Sequence, residues 1–147
     1  MAAIDATNTT GASAGNNPNS IIYRPIGWND LDAVVELFDR TWPQDGELAG
    51  TETSLLISRY FVLHYLQPTT FANAAFTVDG TLAGVTFIRV AGEQPQLDEI
   101  DVADEMAGIE RGIIAHEEAA KRLERLNNAF SLELALERNS RANETTL

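Results

Sequence analysis

The chain has 147 residues, 44% apolar and 22% charged, which is the size and composition of one ordinary globular domain with a modest core. A formal net charge of -12 and a single lysine, Lys121, oppose binding to phosphate backbones or anionic lipid, so nucleic acid and membrane surfaces are excluded as expected partners. With no cysteine there can be no disulfide, thiolate metal site or cysteine nucleophile; this is compatible with a reducing cytoplasm, the expected compartment.

Residues 1–19 are almost wholly Ala, Thr, Asn, Gly and Ser, too poor in large apolar groups to offset the entropy of ordering them, and read as a flexible tail. They show neither a basic start nor an apolar run, so they are not read as a secretory signal. Gly11-Ala12-Ser13-Ala14-Gly15 matches G-x-S-x-G, but no strand precedes it and no helix follows, so Ser13 reads as tail rather than nucleophile. The richest apolar window, residues 55–66, is broken by Ser58, Arg59 and His64, and falls short of the ~18 consecutive apolar residues a membrane helix requires.

Ile21-Ile22-Tyr23-Arg24 followed by Pro25 predicts a short strand ending near Ile26. A helix follows, capped by Asn29 or Asp30, with Leu31, Val34, Val35 and Phe38 on one face and Pro43 as its stop. Residues 44–50 read as a polar loop carrying Asp45 and Glu47. Thr53 then caps a second helix that runs to about Leu66, where Gln67-Pro68 ends it. This helix is apolar nearly all round, which predicts extensive burial.

Two β-rich runs within residues 74–90 are joined by Asp79-Gly80, which suits a two-residue turn with positive φ at both positions. Gly84 in the returning strand signals either a bulge or a neighbour packed against bare backbone, and Pro95 closes the segment. Residues 93–105 hold six acids and no base, the pattern of a solvated loop or helix start. Beyond them Met106, Ile109, Ile113, His116, Ala120, Leu123, Asn127, Phe130 and Leu134 form one helical stripe. Unbroken, that helix would be about 60 Å long, too long for so small a domain, which predicts a break near Asn127-Asn128. The fold class is therefore α+β: a short strand, two helices, an antiparallel hairpin and a long acidic helical segment. Its divisions are a tail over 1–19, an α/β part over 20–92 and a helical part over 93–147.

His116-Glu117 opens like H-E-x-x-H, but Ala120 stands where the second histidine should be, and with only His64 besides, no metal site is expected. Both histidines read as core-edge or surface residues. Glu110, Glu117 and Glu118 share a helix with Arg111, Lys121 and Arg122, so surface pairing accounts for them.

The order of strand, capped helix ending in Thr41-Trp42-Pro43, second helix and hairpin 76–85, with Tyr23-Arg24-Pro25 ahead of Asn29-Asp30-Leu31, resembles the opening of a GNAT-family N-acetyltransferase. The resemblance covers about residues 21–90, followed by an acidic helical insertion like one that some members carry. It implies a partial GNAT-like sheet and, in the complete enzyme, transfer of an acetyl group from acetyl-CoA to a small-molecule or peptide amine. In that chemistry a base deprotonates the ammonium and backbone amides polarise the thioester carbonyl. The family holds the donor's diphosphate on a loop reading R or Q, x, x, G, x, then G or A, after a fourth strand and at a helix N-terminus. The nearest string here, Arg89-Val90-Ala91-Gly92-Glu93-Gln94, follows the third strand and sets Glu93 beside the would-be phosphates.

The resemblance therefore implies the front half of the fold, with no catalytic residue inherited, no acetyl-CoA expected to bind this chain alone, and no activity in isolation. Trp42, Asp45 and Glu47, between the first two helices, are the positions it implies for contact with an acceptor amine; against this, Trp42 also reads as a helix-end core residue and the acids as loop solvation. The alternative is a non-enzymatic acidic interaction or oligomerisation module, in which the stripe pairs with a partner helix or its own copy. On either reading the hairpin has no fourth strand beside it, and that unpaired edge or the stripe is where self-association is expected.

Overall fold

The computed structural model describes residues 20–145; the tail reading and the G-x-S-x-G match lie outside them. Among these residues the fold is α+β, built from β1 (Ile21–Pro25), α1 (Leu31–Thr41), α2 (Glu52–Leu66), β2 (Phe71–Thr77), β3 (Leu82–Ile88), α3 (Glu99–Ile114) and α4 (Glu117–Thr145). The strands form one antiparallel sheet in the order β1-β2-β3.

The helices cover one face of that sheet. Alternation along β2 turns Ala72, Ala74 and Phe76 into the core, and the paired residues Val85 and Phe87 of β3 pack there with them. Leu31, Val34 and Val35 of α1 and Ile57, Leu63 and Leu66 of α2 close over this face. Val102, Ile109 and Ile113 of α3 and Ala119, Leu123 and Phe130 of α4 belong to the same core, so residues 93–145 pack onto the α/β part. At Gly112 of α3, Leu56 Cδ1 of α2 stands 3.5 Å from where a Cβ would project, an ordinary contact distance, so the approach of the two helices does not itself require glycine. On the opposite face of the sheet, Ile21, Tyr23, Phe71 and Ile88 are exposed and nothing among the described residues lies over them.

The local chemistry departs from expectation at several points. Asp30 does not cap α1 through its side chain; its carboxylate accepts from Gly27 N at 2.9 Å and pairs bidentately with Arg24 at 2.8 and 2.9 Å, locking the turn between β1 and α1. Thr51 rather than Thr53 caps α2, its hydroxyl oxygen accepting from Ser54 N at 3.1 Å. The loop 44–50 is not wholly polar, because a short 3-10 turn at Gly46–Leu48 drives Leu48 into the core.

The hairpin turn is also of another type. Only Gly80 has positive φ (87°), and Gly80 N donates to Thr77 O while Thr77 N donates to Thr81 O, the pattern of a type I turn closed by a glycine bulge. Asp79, by accepting from Thr81 N, keeps to a conformation that needs no left-handed residue before the glycine. Gly84 sits beside a second bulge, where Ala75 pairs with Gly84 but Phe76 with Leu82; the space around Gly84 is open, so the bulge and not a close neighbour accounts for it.

The helical stripe breaks earlier than expected, at Ala115-His116, and α4 runs straight through Asn127-Asn128. His116 supplies the cap, its Nδ1 accepting from Ala119 N at 3.3 Å, and the phase resets so that Ala119 rather than Ala120 is buried. Asn127 is tolerated inside the helix because its Oδ1 accepts from Tyr60 Oη at 3.2 Å. Leu134 lies beyond the core and is exposed.

Candidate functional site

Two cavities flank the contact between α2 and α4. The first, of about 790 Å³, has Phe38, Trp42, Ile57, Phe61, Leu126 and Ala129 for its apolar wall and Gln44, Asp45, Glu118, Arg122 and Arg125 along its polar side. It exists because α1 ends at Thr41 and the chain swings out through Pro43 before α2 begins, leaving Trp42 displayed rather than packed. Trp42 is 64% exposed, against its reading as a core residue, and leans on Phe38 with ring centroids 5.1 Å apart. Phe38 in turn stacks on Phe61 at 4.6 Å.

The polar side is a row of alternating charge. Arg122 Nη1 lies 2.6 Å from Asp45 Oδ1, Arg122 Nε lies 3.5 Å from Glu118 Oε1, and Arg125 Nη2 approaches that same oxygen at 3.9 Å. Spacings of three and four residues put Glu118, Arg122 and Arg125 on one helical face. Arg122 is fixed further by Gln44 Oε1 and the Asp45 carbonyl, both at 3.2 Å. Gly46, in the loop that meets Arg122, has a φ of 62°, the left-handed region that favours glycine. Of the three expected acceptor contacts, Trp42 and Asp45 come together on this cavity, whereas Glu47 is exposed on the 3-10 turn and does not line it. Sequence reasoning missed Arg122 and Arg125 as lining residues, since their spacing from Glu118 signals only a shared helical face and not the meeting with Asp45.

The second cavity, of about 810 Å³, lies between the end of α2, the end of β3 and α4, and includes Tyr60, His64, Tyr65, Arg89, Asn127, Phe130 and Glu133. His64 stacks flat on Phe130, and burial holds its pKa below the usual histidine range against the opposing charge of Glu133. Tyr65 Oη donates to Glu133 at 2.8 Å, and burial together with that carboxylate pushes its pKa up to about 12. Burial also raises Tyr60. At neutral pH this cleft offers a neutral imidazole and firmly protonated phenols, and Arg89 closes its far side against Glu137 at 3.2 Å. An aromatic seam, Trp42, Phe38, Phe61, Phe130 and His64, joins the two cavities.

Each of the four helices among the described residues begins with acid in its first turn: Asp32, Glu52, Glu99 with Asp101, and Glu117 with Glu118. Asp98 already accepts from the free amides of Ile100 and Asp101 at the start of α3. In the string after β3, Arg89 is held by Glu137 and the turn is closed on itself by Glu93 N donating to Val90 O at 3.2 Å. Among the described residues no group of three or more His, Cys, Asp or Glu side chains could hold a metal ion, and no helix is long and apolar enough to cross a membrane.

Comparison with protein-family models, with curated proteins and with solved structures finds no match.

Proposed function

We propose that this chain is the N-terminal portion of a GNAT-like acyltransferase, the part that shapes the acceptor pocket of an enzyme moving an acetyl group from acetyl-CoA to an amine. The observation that carries this reading is the sheet: β1-β2-β3 run antiparallel in chain order, two helices between β1 and β2 cover one face, and the other face is bare. On this reading a fourth strand and its donor loop, absent among the described residues, follow the hairpin. The cavity at Trp42 and Asp45 is the acceptor pocket on this reading, and no residue of the chain is assigned to acid, base or donor binding. It is tested by adding, in trans, a polypeptide that carries a fourth strand with its R/Q-x-x-G-x-G/A loop, and following thiol release from acetyl-CoA. Turnover by the mixture and by neither part is expected; turnover by the 147-residue chain alone overturns the division of labour.

A second reading, an acidic interaction module without enzymatic activity, draws on Leu132, Leu134 and Leu136, which α4 leaves exposed at 62%, 47% and 60%. Four of the nine stripe positions, Ile109, Ile113, Leu123 and Phe130, are buried in the chain's own core and Met106, Ala120 and Asn127 are partly buried, so a partner would meet chiefly its C-terminal end.

A further inference from the structure

The charges around the cavity at Trp42 cancel, but those around the cavity between α2, β3 and α4 do not. Its lining sets three carboxylates, Glu99, Glu133 and Glu137, against one guanidinium, Arg89. Arg89 is taken up by Glu137 at 3.2 Å. Glu133 meets no cation among the described residues; its two oxygens lie 2.9 and 2.8 Å from the donating Tyr65 Oη. A phenol supplies one proton to a carboxylate with about four lone-pair sites, so this contact orients Glu133 and leaves its charge and most of its accepting capacity open. Neighbouring His64 does not supply the missing charge, because burial keeps its imidazole neutral at neutral pH.

The apolar wall begins at the same residue that orients the carboxylate. The Tyr65 ring stands 4.9 Å from that of His64 and 5.7 Å from that of Phe130, at 84° and 88° to them. Charge and rings are thus joined through Tyr65, and a ligand whose charged end rests on Glu133 reaches the aromatic wall within its own short length. An anion is repelled there, and a neutral hydroxyl gains only an ordinary hydrogen bond. An ammonium gains a charge-assisted one, and the polarised CH groups beside it favour the ring faces.

We infer that this cavity binds a primary ammonium ion with an aromatic body, the ammonium on Glu133 and the body among the rings of Tyr65, His64 and Phe130. The site lies apart from the cavity at Trp42, so its assignment stands without the acyl-transfer reading. Binding involves no covalent step.

Three probes that share one ring separate the alternatives: phenethylamine, which carries the ammonium at neutral pH, 2-phenylethanol, in which a neutral hydroxyl replaces it, and 3-phenylpropionate, which carries the opposite charge. Titration of the 147-residue chain is followed at the ring resonances of Tyr65 and Phe87, with the Trp42 indole reporting on the other cavity. Phenethylamine is expected to bind about tenfold tighter than 2-phenylethanol, the worth of one charge-assisted contact, and 3-phenylpropionate more weakly than both. Glu133→Gln keeps an oxygen for Tyr65 Oη and should bring phenethylamine down to the level of 2-phenylethanol, whose own affinity stays the same. Asp45→Asn, in the other cavity, should leave the Tyr65 shifts unchanged. The ranking of the three probes on the unaltered chain decides the matter even where Glu133→Gln lowers the melting temperature. Equal binding of phenethylamine and 2-phenylethanol, a tenfold preference that survives Glu133→Gln, or no shift at Tyr65 with any probe overturns the assignment. Shifts at Trp42 alone also overturn it while leaving the acceptor pocket in place, and loss of thiol release leaves the ammonium site standing.

Discussion

The imidazole of His64 lies on the ring of Phe130 with centroids 3.5 Å apart and planes 4° from parallel, joining α2 to α4. The stack is made by the neutral ring, since burial lowers the pKa of His64 in the folded chain despite Glu133 nearby. The unfolded chain therefore binds the extra proton, and the stabilisation is complete above the ordinary histidine value of ~6.5 and lost as pH falls through it toward the lowered folded value. Urea midpoints are expected to drop between about pH 7 and pH 5. His64→Phe keeps the stacking surface and should flatten part of that slope; a slope equal to the parent's would show that His64 does not contribute to it.

Asp39 on α1 holds two buried serines of α2, its Oδ1 accepting from Ser54 Oγ at 2.7 Å and Ser58 Oγ at 2.8 Å. Asp39→Ala leaves both hydroxyls without that acceptor and should cost about 1–3 kcal/mol in denaturant unfolding, because buried polar groups lose water without gaining a partner. Asp39→Asn, which retains a carbonyl oxygen, should cost less. Equal losses from the two would locate the effect in the charge instead.

Ile113 of α3 is fully buried in the core that also holds α1, α2 and the sheet. Ile113→Ala should destabilise the whole chain by about 2–5 kcal/mol within a single transition. Two separate transitions, only one of them shifted, would instead make residues 93–147 an independently folding unit.

How far the sequence carried can be judged from particular residues. The 3.6 period in Leu31, Val34 and Val35 placed α1, and the stop at Gln67-Pro68 placed the end of α2, because periodicity and proline act locally. What it did not reveal depends on distant partners. Asn127 reads as a helix breaker until Tyr60 is seen to satisfy it. Gln96 reads as loop, yet its Nε2 donates to Ile26 O at 2.8 Å and Ala72 O at 2.9 Å, pinning the end of β1 and β2. At the cavity, Trp42 and Asp45 were legible from their loop, whereas Arg122 and Arg125 arrive from α4, more than seventy residues on, and no local pattern announces that meeting.

The bare sheet face carries another expectation. Its outward residues Ile21, Tyr23, Phe71 and Ile88 are uncharged in a chain of net charge -12, so this face is where a second copy can approach with least repulsion. Sedimentation should show concentration-dependent association of the isolated chain, and Phe71→Lys, at a half-exposed position, should abolish it without lowering the melting temperature. Association undiminished in Phe71→Lys would direct attention to Leu132 and Leu136 of α4 instead.

The proposal that this chain gives the donor's diphosphate no resting place is tested most directly by titrating acetyl-CoA into the 147-residue chain by calorimetry. The acidic first turns of the four α-helices among the described residues and the engagement of Arg89 with Glu137 predict no binding up to about 1 mM. Saturable binding in the micromolar range would contradict it and place an anion cradle within these residues.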